Sequence, residues 1–341
     1  MNRKNFLASC ITTGLSFPAL NSLAAITTSK EEMNFKVPPY LNQGDVIGIT
    51  CPAGYITLEE IQPAVLQMES WGYKVKIGNT VGKRDCSFGG TDVERAADFQ
   101  QMLDDDAIKA IMCARGGYGF VRIIDQLNFS RFVLKPKWII GFSDVTVLHA
   151  HLSHQCHVAS IHSKMCNSFP SDWSKAEPVQ VETILSIRKA LAGEKIQYPL
   201  SPALGNRYGK ATGRLVGGNL KTIETLACSA SDMHTDGKIL FVEDTGEYLY
   251  SIDRMFWNLK RTGKLDKLAG LIIGGFKIKP DDPGEEFGRS LQDIVLEKVQ
   301  QYRYPVCFDF PVGHQKNNYA LKCGVVHRLT VEEGACKLEE V

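Results

Sequence analysis

A serine that directly follows a buried apolar strand is the first candidate for chemistry in this chain. Residues 137–146 read KWIIGFSDVT, so the strand leads through Gly141 into Ser143 and then into a helical stretch. A sharp strand-to-helix turn projects a serine hydroxyl above the sheet edge and aims the following backbone N–H groups at the same place. Val145 stands where the full elbow pattern has a second glycine. Ser143 acting only as a helix N-cap is therefore an open alternative.

A glycine-rich segment follows the preceding strand. Residues 114–119 read ARGGYG, and glycines at the carboxyl end of a parallel strand allow the backbone to approach a ligand closely. A phosphate-binding loop would need a following Gly-Lys-Ser/Thr or the dinucleotide spacing, and both are missing. An oxyanion pocket beside Ser143 and a plain turn before a helix remain as interpretations.

Two further segments carry an acid and a base in that order along the chain. Glu243 and Asp244 end the apolar run ILFVED, and a carboxylate at a strand end is well placed to orient a histidine. His314 follows the apolar stretch FPVG in a loop, the kind of position that often presents functional groups. A solvated strand end and a surface histidine are the simpler alternatives.

Several histidines after Ser143 raise the possibility of a metal site. Three of them fall near one helical face, but no carboxylate or cysteine completes a familiar ligand pattern. We therefore expect no metal and no cofactor. The group consists of His149, His151, His154, His157 and His162.

Alternating strands and helices must position these groups. Strands are predicted at 45–51, 73–77, 108–113 and 138–142, and helices at 57–71 and 91–103, the latter opening with a capping box of Thr91 and Glu94. This alternation predicts a parallel sheet with helices on both faces, an α/β domain of the Rossmann or flavodoxin type over residues 36–170.

The chain changes character after that domain. Residues 171–204 are rich in proline and are predicted to be a linker region containing one helix. Strands at 238–242 and 271–274, with helices starting at Asn219 and spanning 253–259, predict a second, α+β domain over residues 205–341. Residues 321–331 alternate as expected for an antiparallel strand pair.

The first 25 residues have the layout of a secretory signal. Arg3 and Lys4 precede an apolar stretch from Phe6, and Ala24-Ala25 provide small residues at the cleavage position. We expect removal of residues 1–25 and export, to the periplasm, with a cytoplasmic location as the alternative. The nine remaining cysteines are unpatterned and odd in number, which indicates buried thiols and is better suited to a reducing compartment.

The amino-acid composition limits which kinds of binding partner are expected. The chain has 341 residues, with 39 Lys+Arg against 38 Asp+Glu, so it has no excess charge to neutralise phosphates and no nucleic-acid partner is expected. No later segment is apolar for long enough to span a membrane, and we expect none that does. We expect a homodimer.

Taken together, the segments resemble the LD-carboxypeptidases, also called muramoyltetrapeptide carboxypeptidases. This serine peptidase family includes the microcin-immunity peptidases. The matching segments span residues 44–330 in family order and read GDVIGITCPAG, ARGGYG, IIGFSDVT, GRLVGGNL, ILFVEDTGEY, SIDRMFWNL, LIIGGF and FPVGH.

The resemblance implies a Ser-Glu-His triad of Ser143, Glu243 and His314, with the serine on the N-terminal α/β domain and the other two on the C-terminal domain. It implies hydrolysis of the L,D-amide bond that releases terminal D-alanine from murein tetrapeptides, through an acyl-enzyme. The backbone N–H groups of Gly117 and Asp144 are expected to form the oxyanion hole, and Arg115 is a candidate for the substrate carboxylate on position alone.

The sequence leaves three alternative functions open. A microcin-immunity-type peptidase would share the triad and differ in the lining of its pocket. An α/β-hydrolase esterase would also run serine, acid and histidine in order, although Val145 argues against it. A non-enzymatic wall-peptide binding protein would bind muropeptides without needing Ser143.

Overall fold

The chain forms two sheets. The computed structural model describes residues 35–341, and residues 36–341 form one compact unit. The predicted signal, residues 1–25, lies outside the described residues. Within the described part of the chain, no helix is long and apolar enough to cross a bilayer.

The first sheet has six strands, all parallel except the last along the chain. They are β1 (Val46–Thr50), β2 (Lys74–Ile77), β3 (Ile108–Cys113), β4 (Trp138–Gly141), β5 (Ser160–His162) and β11 (Leu321–Cys323). Their spatial order is β11-β5-β4-β3-β1-β2, with β11 antiparallel to β5. β3 and β4 are rich in isoleucine and almost wholly buried, which is typical of parallel strands covered on both faces.

The second sheet has seven strands. They are β6 (Gln197–Leu200), β7 (Gly209–Asn219), β8 (Ile239–Glu247), β9 (Gly270–Ile278), β10 (Val306–Cys307), β12 (Val326–Val331) and β13 (Cys336–Glu340). Their order is β10-β9-β8-β7-β12-β13-β6. The strands from β7 to β10 are parallel to one another, whereas β12, β13 and β6 join antiparallel.

The α-helices lie between these strands along the chain. They are α1 (Leu58–Ser70), α2 (Asp92–Asp104), α3 (Ser130–Leu134), α4 (Thr146–His151), α5 (Pro178–Leu191), α6 (Leu220–Thr225), α7 (Leu249–Arg261) and α8 (Leu291–Val299). The predicted capping box is present at α2, where Thr91 Oγ1 accepts from Glu94 N at 3.2 Å and Glu94 Oε2 accepts from Thr91 N at 2.9 Å. The predicted mixed α/β architecture with two sheets is confirmed.

One local prediction is wrong. Residues 321–331 do not form a strand pair, because β11 joins the first sheet beside β5 while β12 pairs with β7 and β13 in the second. Alternation of apolar residues indicates that a strand has one buried face but does not choose its partner. The proline-rich stretch 171–204 likewise contains both α5 and β6, a strand of the second sheet.

The sheets share a core, and the start of α4 meets the end of β7. A Cβ at Gly218 would lie 2.4 Å from Thr146 Oγ1, so only glycine permits this approach. Thr146 Oγ1 also accepts from Asn219 N at 3.0 Å. Since Thr146 begins the helix after Ser143, this contact brings the serine turn to the β7–β8 edge.

The cysteines at described positions are unpaired thiols, as the spacing predicted. All are buried except Cys86 and Cys228.

Candidate active site

Ser143 occupies the sharp turn that the sequence predicted. β4 ends at Gly141, a 3₁₀ turn covers Ser143–Val145, and α4 begins at Thr146. Ser143 has φ +63°, a left-handed conformation that L-residues other than glycine adopt at a cost. Glycine is needed at position 141 because a Cβ there would lie 2.9 Å from Val145 Cγ2. The buried Val145 therefore packs directly on the strand end.

The glycine-rich loop lies against the serine. A Cβ on Gly116 would lie 3.1 Å from Ser143 Cβ and 3.4 Å from its Oγ, and Gly117 has φ +98°. The Asp144 carboxylate fastens this loop, because its Oδ2 accepts from the Phe120 backbone N–H at 2.7 Å. Burial raises the pKa of Asp144 to about 6. The residue after the serine thus holds the loop that supplies Gly117.

A buried arginine, which the sequence analysis did not single out, supports the same loop. Arg95, on α2, is fully buried and donates from Nη1 to the Gly119 carbonyl at 2.9 Å and to the Pro52 carbonyl. It also pairs with Asp92.

Glu243 and His314 are paired. Glu243, on β8, is fully buried, and its Oε2 accepts from His314 Nδ1 at 2.6 Å and from the His314 backbone N–H at 3.2 Å. Because an ionised carboxylate only accepts, Nδ1 carries the proton and Nε2 is left as the acceptor. Gly313 has φ +104°, and a Cβ there would lie 2.4 Å from Glu243 Cβ, so glycine is required beside the pair.

The pair lies next to the serine turn. The ring of His314 packs against that of Phe142, with centroids 4.9 Å apart, and Phe142 directly precedes Ser143. The three candidate residues from two sheets therefore meet in one region. Within residues 35–341 no hydrogen bond joins Ser143 to His314.

A cavity of about 280 Å³ opens at Ser143 between the two sheets. Gly117 and Asp144 border it together with the serine, whereas His314 and Arg115 are not among its lining residues. Its remaining lining comes from the glycine-rich loop and the turn after it, α4, α6 with the residue that follows it, and the strands β7 and β8: Tyr118, Val121, Val147, Asn219, Lys221, Thr222, Thr225, Leu226, Asp244, Thr245 and Glu247.

Arg115 lies against the loop after β1. Its Nη1 donates to the Tyr55 carbonyl at 3.2 Å, and its guanidinium carbon is 5.8 Å from the Tyr55 ring centroid. The assignment of Arg115 to a substrate carboxylate stays a prediction without a contact that favours it.

The histidines that follow Ser143 serve separate structural contacts. His149 is buried between Ser160 Oγ at 2.8 Å and the Gly141 carbonyl at 2.9 Å, and burial lowers its pKa to about 4. His151 bonds to Ser231 Oγ at 2.9 Å. Across residues 35–341, no group of three or more potential ligands is placed to hold a metal ion.

A serine on a strained strand-to-helix turn, a glycine loop beside it and a buried Glu-His pair from a second sheet form the arrangement that the sequence predicted for a serine peptidase. Family models agree with that class: residues 47–163 match the LD-carboxypeptidase N-terminal domain and residues 212–329 match the LD-carboxypeptidase C-terminal domain. The chain belongs to the LD-carboxypeptidase family of serine peptidases.

Known proteins of this family resemble the chain over most of its length. It is 31% identical to the "Probable murein peptide carboxypeptidase" of Bacillus subtilis over 90% of this chain and 95% of that protein. It is 28% identical to the murein tetrapeptide carboxypeptidase of Pseudomonas aeruginosa over 82% of this chain and 91% of that protein. The crystal structure of muramoyltetrapeptide carboxypeptidase from Oxalobacter formigenes matches with a TM-score of 0.76 and 25% identity, covering 86% and 98% of the two chains.

Proposed function

We propose that this enzyme is a serine LD-carboxypeptidase that releases terminal D-alanine from murein tetrapeptides, with Ser143, His314 and Glu243 as its catalytic residues. The observation that carries the proposal is the 2.6 Å bond between His314 Nδ1 and the buried Glu243, next to the strained serine turn. Membership of the family and the murein peptidases among its relatives support the substrate class.

The chemistry proceeds through an acyl-enzyme. His314 Nε2 takes the Ser143 hydroxyl proton as Oγ attacks the carbonyl carbon of the terminal amide, then gives that proton to the leaving amine. Glu243 holds the imidazole in the required tautomer and stabilises its protonated form. Water then attacks the ester, with the same histidine as base. The hydrogen bond between nucleophile and base commonly tightens only when substrate is present.

Two backbone N–H groups stabilise the developing oxyanion in this proposal. Gly117 and Asp144 border the cavity together with Ser143. The Asp144 side chain anchors the glycine loop through Phe120, so the donor from the loop and the donor from the turn are held as one unit. Removing one such donor typically costs about 2.7–4 kcal/mol of transition-state stabilisation.

The cavity receives the acyl part of the peptide. Its wall has one cation, Lys221, and apolar groups such as Val147 and Leu226. It also has three carboxylates, from Asp144, Asp244 and Glu247. Such a lining suits a peptide segment that carries both charge signs.

The test is to incubate purified enzyme with a murein tetrapeptide and with its all-L analogue, and to measure released terminal alanine. We expect release from the natural peptide, little from the analogue and none with Ser143→Ala. Binding of the tetrapeptide that is unaffected by Ser143→Ala, with no alanine released by the unmodified protein, would identify a binding protein. Turnover of simple esters without amide turnover would identify an esterase.

A further inference from the structure

Lys164 brings a positive charge to the histidine side of the serine turn. It follows β5, its Nζ donates to the Gln315 carbonyl at 2.6 Å, and that Nζ lies 5.8 Å from the centroid of the Phe142 ring. Gln315 adjoins His314, and Phe142 adjoins Ser143. The ammonium is therefore held between the segments that carry the proposed base and nucleophile.

A second lysine adds charge at the same place. Lys277, on β9, pairs in register with Thr245 on β8, two residues beyond Glu243. Burial is the main cause that lowers the pKa of Lys164, and the positive charge of Lys277 lowers it further. The charge of Glu243 raises the same pKa. Burial and a like charge both disfavour an ammonium ion, so a bound anion would stabilise the arrangement.

Neither lysine has a carboxylate partner within residues 35–341. The charge of Glu243 raises the pKa of Lys164, but Glu243 Oε2 already accepts a hydrogen bond from His314 Nδ1. Lys164 is half-buried, whereas Lys277 is exposed. A half-buried lysine is normally paired, and a carboxylate is the anion that an ammonium group binds through charge-assisted hydrogen bonds.

We propose that Lys164 and Lys277 form the subsite for the free C-terminal carboxylate of the residue that leaves. This inference rests on the proposed function. His314 must protonate the leaving amine, so the leaving residue lies on the His314 side of Ser143, and its carboxylate is only two bonds away from that amine. The acyl part then occupies the cavity bordered by Ser143, Gly117 and Asp144 on the other side.

The subsite explains how the enzyme would act on a chain end and not within a peptide. An internal amide has no negative charge at this position, so it would leave Lys164 with the Gln315 carbonyl and no anion. Selectivity of this kind arises when buried polar groups are left unpaired by the wrong substrate. This proposal assigns to Lys164 and Lys277 the role that the sequence analysis predicted for Arg115, whose Nη1 donates to the Tyr55 carbonyl.

The experiment compares the tetrapeptide with its C-terminal amide in five proteins: the unmodified enzyme, Lys164→Met, Lys164→Arg, Lys277→Met and Lys316→Met. Lys316 is the matched control, since it is exposed in the same loop as Gln315 and pairs with Glu177 at 2.7 Å. We expect Lys164→Met to lower kcat/KM for the acid by roughly 10- to 100-fold, the usual effect of losing one hydrogen bond to a charged group. The amide should change little, Lys164→Arg should retain the preference for the acid, and Lys316→Met should match the unmodified enzyme. Lys277→Met should shift the preference in the same direction.

An equal loss for acid and amide in Lys164→Met would overturn the subsite, because it would show that Lys164 acts only through the Gln315 carbonyl. An unchanged preference would overturn it as well. Calorimetric binding of both peptides to Ser143→Ala, with and without Lys164→Met, separates this inference from the reaction. Acid-selective binding that depends on Lys164, found together with no alanine release by the unmodified enzyme, would support the subsite and contradict the proposed hydrolysis.

Discussion

His314 and Glu243 are 71 residues apart in the chain, yet His314 Nδ1 lies 2.6 Å from Glu243 Oε2. The acid lies in the middle of β8, and the histidine is in the loop after β10, two strands away in the same sheet. The bridge between Gly275 and Gly313 fixes that loop against β9. The pair is thus set by the backbone of the second sheet, independently of the serine turn.

Glu243→Gln should leave the fold in place and lower kcat by about 10⁴, because an amide no longer fixes the tautomer or stabilises the protonated imidazole. Circular dichroism and D-alanine release under saturating tetrapeptide would measure the two effects. A kcat within tenfold of the unmodified enzyme would remove Glu243 from the catalytic group.

Ser143→Ala and Ser143→Gly should both abolish turnover, but they should differ in stability. Ser143 has φ +63°, which glycine adopts freely and alanine does not. The glycine variant should therefore be more stable than the alanine variant by about 1 kcal/mol. Urea denaturation of the two variants measures this difference, and equal midpoints would contradict strain at the turn.

The site was predictable where chemistry coincides with a strand end. Ser143, Glu243 and His314 each follow an apolar run, so the local pattern placed them at sheet edges, and family order linked them. Lys164 gave no such signal, because its relation to Gln315 and Phe142 exists only after β5 and the loop beyond β10 come together.

The fold was predictable from the sequence where it depends on local periodicity. The βα alternation of residues 45–142 indicates a parallel sheet through local periodicity alone. The division of β11 and β12 between two sheets depends on pairings with β5 and β7, more than 100 residues earlier in the chain. Local alternation contains no information about such distant partners.

The unfolding free energy should depend on pH through buried neutral histidines. Burial lowers the pKa of His327 to about 4, so the unfolded chain takes up a proton as pH falls below about 6.5 and the folded state does not. Stability from this group is present above pH 6.5 and is lost as pH falls toward 4. Between pH 7 and pH 5 the loss is about 2 kcal/mol.

His327→Leu isolates that contribution. His149 and His162, whose pKa values are also lowered by burial, titrate equally in both proteins and cancel in the difference. The leucine variant should therefore lose about 2 kcal/mol less than the unmodified protein between pH 7 and pH 5, measured by urea denaturation at each pH. Parallel pH profiles would contradict the prediction, because they would show that His327 takes up its proton as readily in the folded state as in the unfolded chain.

Chelation should leave turnover unchanged. The proposed mechanism uses Ser143, His314 and backbone N–H groups, and His149 is committed to Ser160 and Gly141. Activity after dialysis against EDTA, compared with untreated enzyme, tests this. Loss that zinc restores would contradict a metal-independent mechanism.

We propose from residues 1–25 that the enzyme is exported. Arg3 and Lys4, the apolar stretch from Phe6 and the Ala24-Ala25 pair have the order of a secretory signal, and β1 begins only at Val46. Removal of the signal would therefore take away no described element of either sheet. The odd number of remaining cysteines argues for a reducing compartment, but seven of the nine are buried and so protected from oxidants. N-terminal sequencing of the enzyme from its native cell, with fractionation, decides between the two. A mature chain that begins near residue 26 outside the cytoplasm would place the enzyme on wall peptides in situ, whereas a chain beginning at Met1 in the cytoplasmic fraction would refute export and indicate a role in recycling.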